Sequence, residues 1–335
     1  MKSNKLLLLI PIICLVFLWP MVVDQKIPLA NDSVAHIPIK KWRTSYYQSS
    51  DEFPHWFPNF FSGLPSYGGY IYTPGDPVRP LLDIFFINKG VKLWFYLTLG
   101  GLGLFYFLRR INVSILASIF AGVVFCLTPY SFGLINAGHN NKIMAIAFIP
   151  WVLMGAFQVI RKPTLKSVLF LSLVTAFQLW VNHPQIVYYT WMVIGFYLVW
   201  ILGFSVKEKS FSTKVSGKQI SGILVGLFLA LLMVSDPYMD IYEFQKHSNR
   251  GAKSVLDQTG KTESGTDWNY ATQWSFHPRE TISFLFPYHY GLQNFPTRDL
   301  KSAAYWGYMP FTQSTHYLGL VAIIFTVLGA LLKKP

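Results

Sequence analysis

Residues 166–207 read KSVLFLSLVTAFQLWVNHPQIVYYTWMVIGFYLVWILGFSVK. Between Lys166 and Lys207 there is no Asp, Glu, Lys or Arg, and the apolar stretch is broken by the turn Asn182-His183-Pro184-Gln185. Two apolar runs, Ser167–Val181 and Ile186–Phe204, joined by so short a turn and bounded by lysine, describe a membrane hairpin. A charge at a helix centre costs roughly 2.5–3.5 kcal/mol on insertion scales, so a bilayer imposes this exclusion. Ordinary soluble folding does not.

The same pattern recurs along the chain. Lys5–Val23, Gly90–Leu108, Val113–Ile135, Ile143–Ile160, Gln219–Val234 and His316–Leu332 bring the number of apolar runs to eight, and only Lys5 and Lys92, near run ends, break the exclusion of charge. The expected fold is therefore an all-α polytopic membrane protein of about eight transmembrane helices. It forms a single transmembrane domain over 1–335. Alternate connections hold Arg109-Arg110, then Arg161-Lys162 with Lys166, then Lys207, Lys209, Lys214 and Lys218, and finally Lys333-Lys334. By the positive-inside rule that side, and the amino terminus with Lys2 and Lys5, is cytoplasmic. The first run also has the form of a signal peptide, but Met21-Val22-Val23-Asp24 offers no small-residue cleavage site. It is expected to remain as a helix.

Composition agrees. Apolar residues make up 52% of the 335 and charged residues 13%, about half the charge that soluble domains carry. The net charge of +13 lies largely in short connections and the two long loops, with no basic stripe interleaved with stacking aromatics, which argues against nucleic acid as a partner. Cys14 and Cys126 both lie inside apolar runs and have neither disulfide-framework nor metal spacing.

Two long segments, 24–89 and 235–315, fall outside the cytoplasm in this topology. The first, rich in Pro, Gly and aromatics, is expected to form short helices in the membrane interface. The second is expected to fold over the membrane face. Ser167–Val181 and Ile220–Val234 are each fifteen residues, about 22 Å at 1.5 Å per residue, against a hydrocarbon core of about 30 Å. With their cytoplasmic ends pinned by Lys166 and Lys218, the turns at Asn182-His183-Pro184-Gln185 and Ser235-Asp236-Pro237 sit below the far interface. Irregular polar backbone there must line protein or a water-filled cavity, so an outward-opening cavity is expected.

Residues fit for chemistry gather on that outer side. Asp32, in Asn31-Asp32-Ser33-Val34-Ala35-His36, is either a general base or cation ligand, with His36 beside it, or a solvated loop acid. The turn Ala137-Gly138-His139-Asn140-Asn141-Lys142 offers an imidazole, two amides and an ammonium at a helix start. That set suits a phosphate, and it equally suits a plain solvated turn. His183 either binds substrate or satisfies helix ends interrupted by Pro184. The glycines Gly100, Gly101 and Gly103 inside a span indicate close helix packing. No zincin motif, phosphate-binding glycine loop or dinucleotide fingerprint is present.

Taken together, four stretches resemble the YfhO-type bacterial membrane proteins of the GT-C glycosyltransferase superfamily. They are Asn31-Asp32; Trp56-Phe57-Pro58-Asn59-Phe60-Phe61-Ser62-Gly63-Leu64-Pro65; Asn136-Ala137-Gly138-His139-Asn140-Asn141-Lys142 leading to Ile149-Pro150-Trp151; and Tyr305-Trp306-Gly307 with Gln313 and Tyr317-Leu318-Gly319. Family members are usually much longer, so the resemblance implies an amino-terminal portion. It implies transfer of a sugar from a polyprenyl-phosphate donor to an envelope polymer, glycolipid or protein outside the bacterial cytoplasmic membrane. It implies Asp32 as the central acid, with Asp51 or Glu52 as a second acid. His139, Asn140, Asn141, Lys142, His183 and His36 would bind donor or substrate, with a divalent cation as a further participant. A transporter or flippase of lipid-linked intermediates, and a non-catalytic envelope-assembly scaffold, are the alternatives. Against the first stands the absence of charge from the spans, where coupled carriers place ion relays.

Overall fold

The computed structural model of the chain describes residues 5–26, 28, 31–52, 54–59, 63–66, 79–207, 217–245, 268, 272, 275, 278–286, 289 and 317–332. Of the residues singled out above, Lys2, 60–62, 305–307 and Gln313 lie outside these, as do Lys209, Lys214 and the carboxy-terminal lysines. The elements in chain order are α1 (Leu9–Phe17), α2 (Trp19–Val22), α3 (Asn31–Ser50), β1 (Trp56–Phe57), β2 (Leu64–Pro65), α4 (Arg79–Phe85) and α5 (Lys89–Arg110). There follow α6 (Ile115–Cys126), α7 (Pro129–Ala137), α8 (Asn140–Arg161), α9 (Leu165–Trp180), α10 (Pro184–Lys207), α11 (Gly217–Met233) and α12 (Ser235–Gln245). A 3₁₀ turn at Pro278–Phe284 and α13 (Leu320–Leu332) complete the set. The chain divides into two compact units, Met1–Thr128 with Leu134–Tyr242, and Pro129–Gly133 with Glu243–Pro335.

Among the described residues, four helices are long and apolar enough to cross a membrane: Lys89–Arg110, Ile115–Ala137, Asn140–Arg161 and Pro184–Leu202. A fifth crossing is counted if α11 and α12, bent by 78° at Val234, form one. Leu165–Trp180 and Leu320–Leu332 are apolar but shorter. Proline accounts for part of the difference from eight. Pro20 lacks an N–H, and the first run breaks at Leu18 into α1 and α2. Pro129 opens α7 after α6 ends at Cys126, but this break leaves the count unchanged, since Ile115–Ala137 is one of the four.

Within the larger unit the helices alternate in direction, and their register can be read from paired residues. α5 and α8 run parallel. The Trp151 indole donates to the Leu99 carbonyl at 3.0 Å, Tyr96 meets Phe148, Phe107 meets Phe157, and the Arg161 guanidinium donates to the Arg110 carbonyl at 3.5 Å. α1 runs antiparallel to α5, with Trp94 donating to the Pro11 carbonyl and Asn88 to the Val22 carbonyl. α9 runs antiparallel to α8, since Gln178 donates to the Ala145 carbonyl at 3.0 Å while Leu171 lies against Gly155. α11 runs parallel to α9, with Gly222 beside Val168, Gly226 beside Leu171, and Ala230 and Val234 clustered with Ala176 and Trp180.

The close packing expected of the glycines in α5 is present. A Cβ placed on Gly101 would lie 2.5 Å from the Cys126 sulfur and 2.6 Å from the Gly122 carbonyl oxygen. Without these two glycines the backbones of α5 and α6 could not approach so closely. Gly103 in turn makes room for the Trp151 indole that bolts α8 to α5. The two cysteines, both buried, lie side by side at this same crossing, where the Cys126 thiol donates to the Leu97 carbonyl.

Residues 31–52 fold as one 20-residue helix, α3, followed by a turn, longer than the short helices expected there. Beyond it, Trp56-Phe57 pairs antiparallel with Leu64-Pro65. Phe57 packs on Ile39 and Trp42 of α3, fixing this hairpin to the helix. Gly63 adopts φ +114°, a conformation that other residues avoid, with the Trp56 ring covering the position a Cβ would take.

Candidate functional site

The alternation of direction sorts the connections into two ends. Arg110 and Arg161 meet at one end, and the start of α11 lies there too, because Gly222 contacts Val159 and approaches Pro163. The α7–α8 turn, the α9–α10 turn and the α11–α12 bend lie at the other. The basic connections and the turns rich in His and Asn are therefore separated along the helix axes.

The turn before α8 is shaped by Gly138 at φ +87°, with the Asn140 side-chain amide donating back to the Gly138 carbonyl at 3.0 Å. His139 occupies the N-cap position of α8 but makes no side-chain cap. The first-turn N–H groups of a 22-residue helix thus carry its positive dipole end without a capping oxygen from that residue. The second turn forms because Asn182 accepts φ +56°, which asparagine tolerates better than most residues. Pro184 then opens α10, where its missing N–H is no loss.

These two turns bring His183, Lys142 and His139 within electrostatic reach of one another. The His183 imidazole is held below its ordinary pKa, first by burial, then by the positive charge of Lys142, and least by His139. His183 Nδ1 and Asn140 Oδ1 are buried atoms with no hydrogen-bond partner in the structure. Leaving such a group unpaired costs about 1–3 kcal/mol, so both gain from a ligand that reaches them: His183 Nδ1 from a hydrogen-bonding group, and the Asn140 amide oxygen, an acceptor, from a donor such as a hydroxyl. His139 and Asn141 are exposed, whereas Lys142 is half-buried. An ammonium, two imidazoles, amide groups and a helix amino terminus make a set of donors for an anion with several oxygens. The same set does not fit a divalent cation, which wants oxygen ligands and is repelled by Lys142. Among the described residues no three His, Cys, Asp or Glu side chains are grouped to hold a metal.

The expected acids sit differently. Asp32 falls in the first turn of α3; its side chain lies outside what the structure describes. His36, one turn further on, is exposed. Asp51, at φ +54°, and Glu52 follow the far end of the same helix, and both are exposed. Eighteen residues of helix at 1.5 Å each separate Asp32 from Ser50 by roughly 27 Å. Asp51 or Glu52 therefore does not share one reacting bond with Asp32 while α3 is intact. Helix length, invisible when the loop is read as short pieces, sets this separation.

Sequence reading missed the polar bridge beneath the two turns. Gln178, fully buried, donates both to the Ala145 carbonyl and to the Thr190 hydroxyl at 3.0 Å, tying α9 to α8 and α10. Its signal was a lone amide in an apolar run, which in a membrane calls for a partner. Tyr238 was missed too: its hydroxyl donates to the Leu179 carbonyl at 3.0 Å and seats the α11–α12 bend against the end of α9.

No family model, curated protein or solved structure matches the chain.

Proposed function

We propose that this chain is a membrane glycosyltransferase of the GT-C type, transferring a sugar from a polyprenyl-phosphate donor to an acceptor outside the bacterial cytoplasmic membrane. In this reading eight segments cross the bilayer. Broken α1–α2, short α9 and α13 are counted with the longer helices, and the amino terminus is cytoplasmic. The carrying observation is that the turns bearing Lys142, His139 and His183 share the end of the bundle opposite the Arg110–Arg161 contact, within electrostatic reach of one another. With arginines marking the cytoplasmic end, the donor-rich turns face outward, at the depth where a lipid-linked phosphate and its isoprenoid tail can both be met.

Chemically, Asp32 accepts the proton of the acceptor hydroxyl as its oxygen attacks the anomeric carbon. The bond from that carbon to the phosphate oxygen breaks, its electron pair leaves with the phosphate, and the configuration inverts. Lys142, His139 and the amides at the start of α8 stabilise the charge that develops on the phosphate. Neutral His183 offers a hydrogen bond and gains a proton more readily once a dianion is beside it. Asp32 supplies the base without help from Asp51 or Glu52.

The test is transfer from radiolabelled polyprenyl-phosphate hexoses by the purified full chain in liposomes. Asp32→Asn is expected to lower turnover by at least about 100-fold, in the range of a lost general base. Lys142→Gln is expected to raise the donor KM by about tenfold or more, the worth of a charge-assisted hydrogen bond. Full turnover in the Asp32 variant, or a donor KM unmoved by the Lys142 change, removes the corresponding role.

A further inference from the structure

We infer that α12 is a membrane-surface helix whose Met239–Tyr242 edge rests in the lipid interface while an acidic edge faces water. This rests on the reading of α11 as part of a membrane crossing. The two helices meet at Val234 with a 78° bend, so if α11 runs near the bilayer normal, α12 runs nearly in the membrane plane. The bend is held rather than loose. Val234 is fully buried in the cluster with Trp180 and Val187, Pro237 is buried, and the Tyr238 hydroxyl is bonded to the Leu179 carbonyl.

At about 100° per residue, eight of the eleven residues of α12 sort into three sectors, with half-buried Phe244 between the acidic and the protein-facing ones. Pro237, Tyr238 and Ile241 turn to the protein and are buried or half-buried. Asp236, Asp240 and Glu243, at spacings of four and three, fall within about 60° of one another; Asp236 and Glu243 are exposed and Asp240 is half-buried. Between the two lies an edge formed by Met239 and Tyr242, which are 68% and 67% exposed. A thioether and a phenol between a fixed core and a flanking carboxylate stripe have the polarity of a helix at headgroup depth: the ring and sulfur reach into the acyl boundary, and the acids sit at the level of the headgroups and water. The occupant of the apolar edge is lipid, because the bend leaves that edge at the level where the adjoining span ends.

The inference is tested in the full chain reconstituted into phosphatidylcholine vesicles, with spin labels at Asp236→Cys, Met239→Cys, Asp240→Cys, Tyr242→Cys, Glu243→Cys and, on α11, Phe228→Cys. Native Cys14 and Cys126 are buried to 1%, and unmutated protein serves as the labelling blank. Power saturation compares collision with apolar oxygen and with a water-soluble nickel chelate. Oxygen is expected to dominate at 228, 239 and 242, and the chelate at 236, 240 and 243. Equal chelate access at all five α12 sites, with 228 remaining oxygen-rich, overturns the surface helix alone. Chelate access at 228 as well overturns the membrane reading of α11 beneath it. Hydroxyl-radical footprinting of native Met239 and Tyr242 in the same vesicles gives a label-free check. Oxidation of both at the rate of freely hydrated side chains contradicts the proposal.

Discussion

His183 carries the sharpest prediction that a single side chain supports. Folding lowers its affinity for a proton, through burial and then through Lys142 and His139. As pH falls, the unfolded chain therefore takes up this proton first. The stability contribution is intact above the ordinary imidazole value of about 6.5; it is lost as pH drops below that value towards the folded one. Thermal unfolding of the purified chain should show this loss, and His183→Gln should flatten the curve in that window. Lys142→Gln should move the His183 titration upward, read from its imidazole carbon resonance. An unmoved midpoint would mean that the two turns do not meet as described. The sequence named both residues as candidates but left open whether Lys142 was merely solvated and whether His183 only satisfied helix ends interrupted by Pro184. Their proximity depends on α8 and α9 lying antiparallel, which no local spacing encodes.

Among the helices, the α5–α6 crossing is the place where one added atom group matters most. Gly101→Leu inserts a side chain where even a Cβ would lie 2.5 Å from the Cys126 sulfur, and overpacking of this kind costs about 1–3 kcal/mol or more. A drop in Tm in detergent is expected. Gly195→Ala in α10, where nothing lies within 4 Å of the added Cβ, should be neutral or stabilising by up to about 1 kcal/mol. Equal losses in both variants would show that the glycines matter for flexibility rather than fit. Helix packing at Gly100, Gly101 and Gly103 was legible in the sequence because three small residues in one apolar run leave few other uses. The long α3 was not. Its polar, aromatic and Pro38-containing sequence carries no apolar period strong enough to announce twenty helical residues, and the separation of Asp32 from Asp51 and Glu52 follows from that length.

For the molecule as a whole, the two ends of the bundle provide the decisive experiment. Reporter fusions after Asn112 and Lys162 should report the cytoplasm, and fusions after Gly138 and Asn182 the opposite compartment. Activity of the Gly138 and Asn182 fusions on different sides would separate His139 from His183 and end the enzymatic reading. Membrane class, approximate helix positions and the side on which arginine and lysine collect could all be read directly from the chain, because the cost of charge in hydrocarbon acts on each residue independently of its neighbours. Which helices lie side by side, that Gln178 bridges three of them, that α11 turns through 78° into α12, and that Lys142 comes within electrostatic reach of His183 were decided by tertiary packing alone. Those relations depend on side chains separated by tens of residues meeting at a few ångströms, and a bilayer, which rewards apolar surface without regard to partner, gives the linear sequence no means of announcing them.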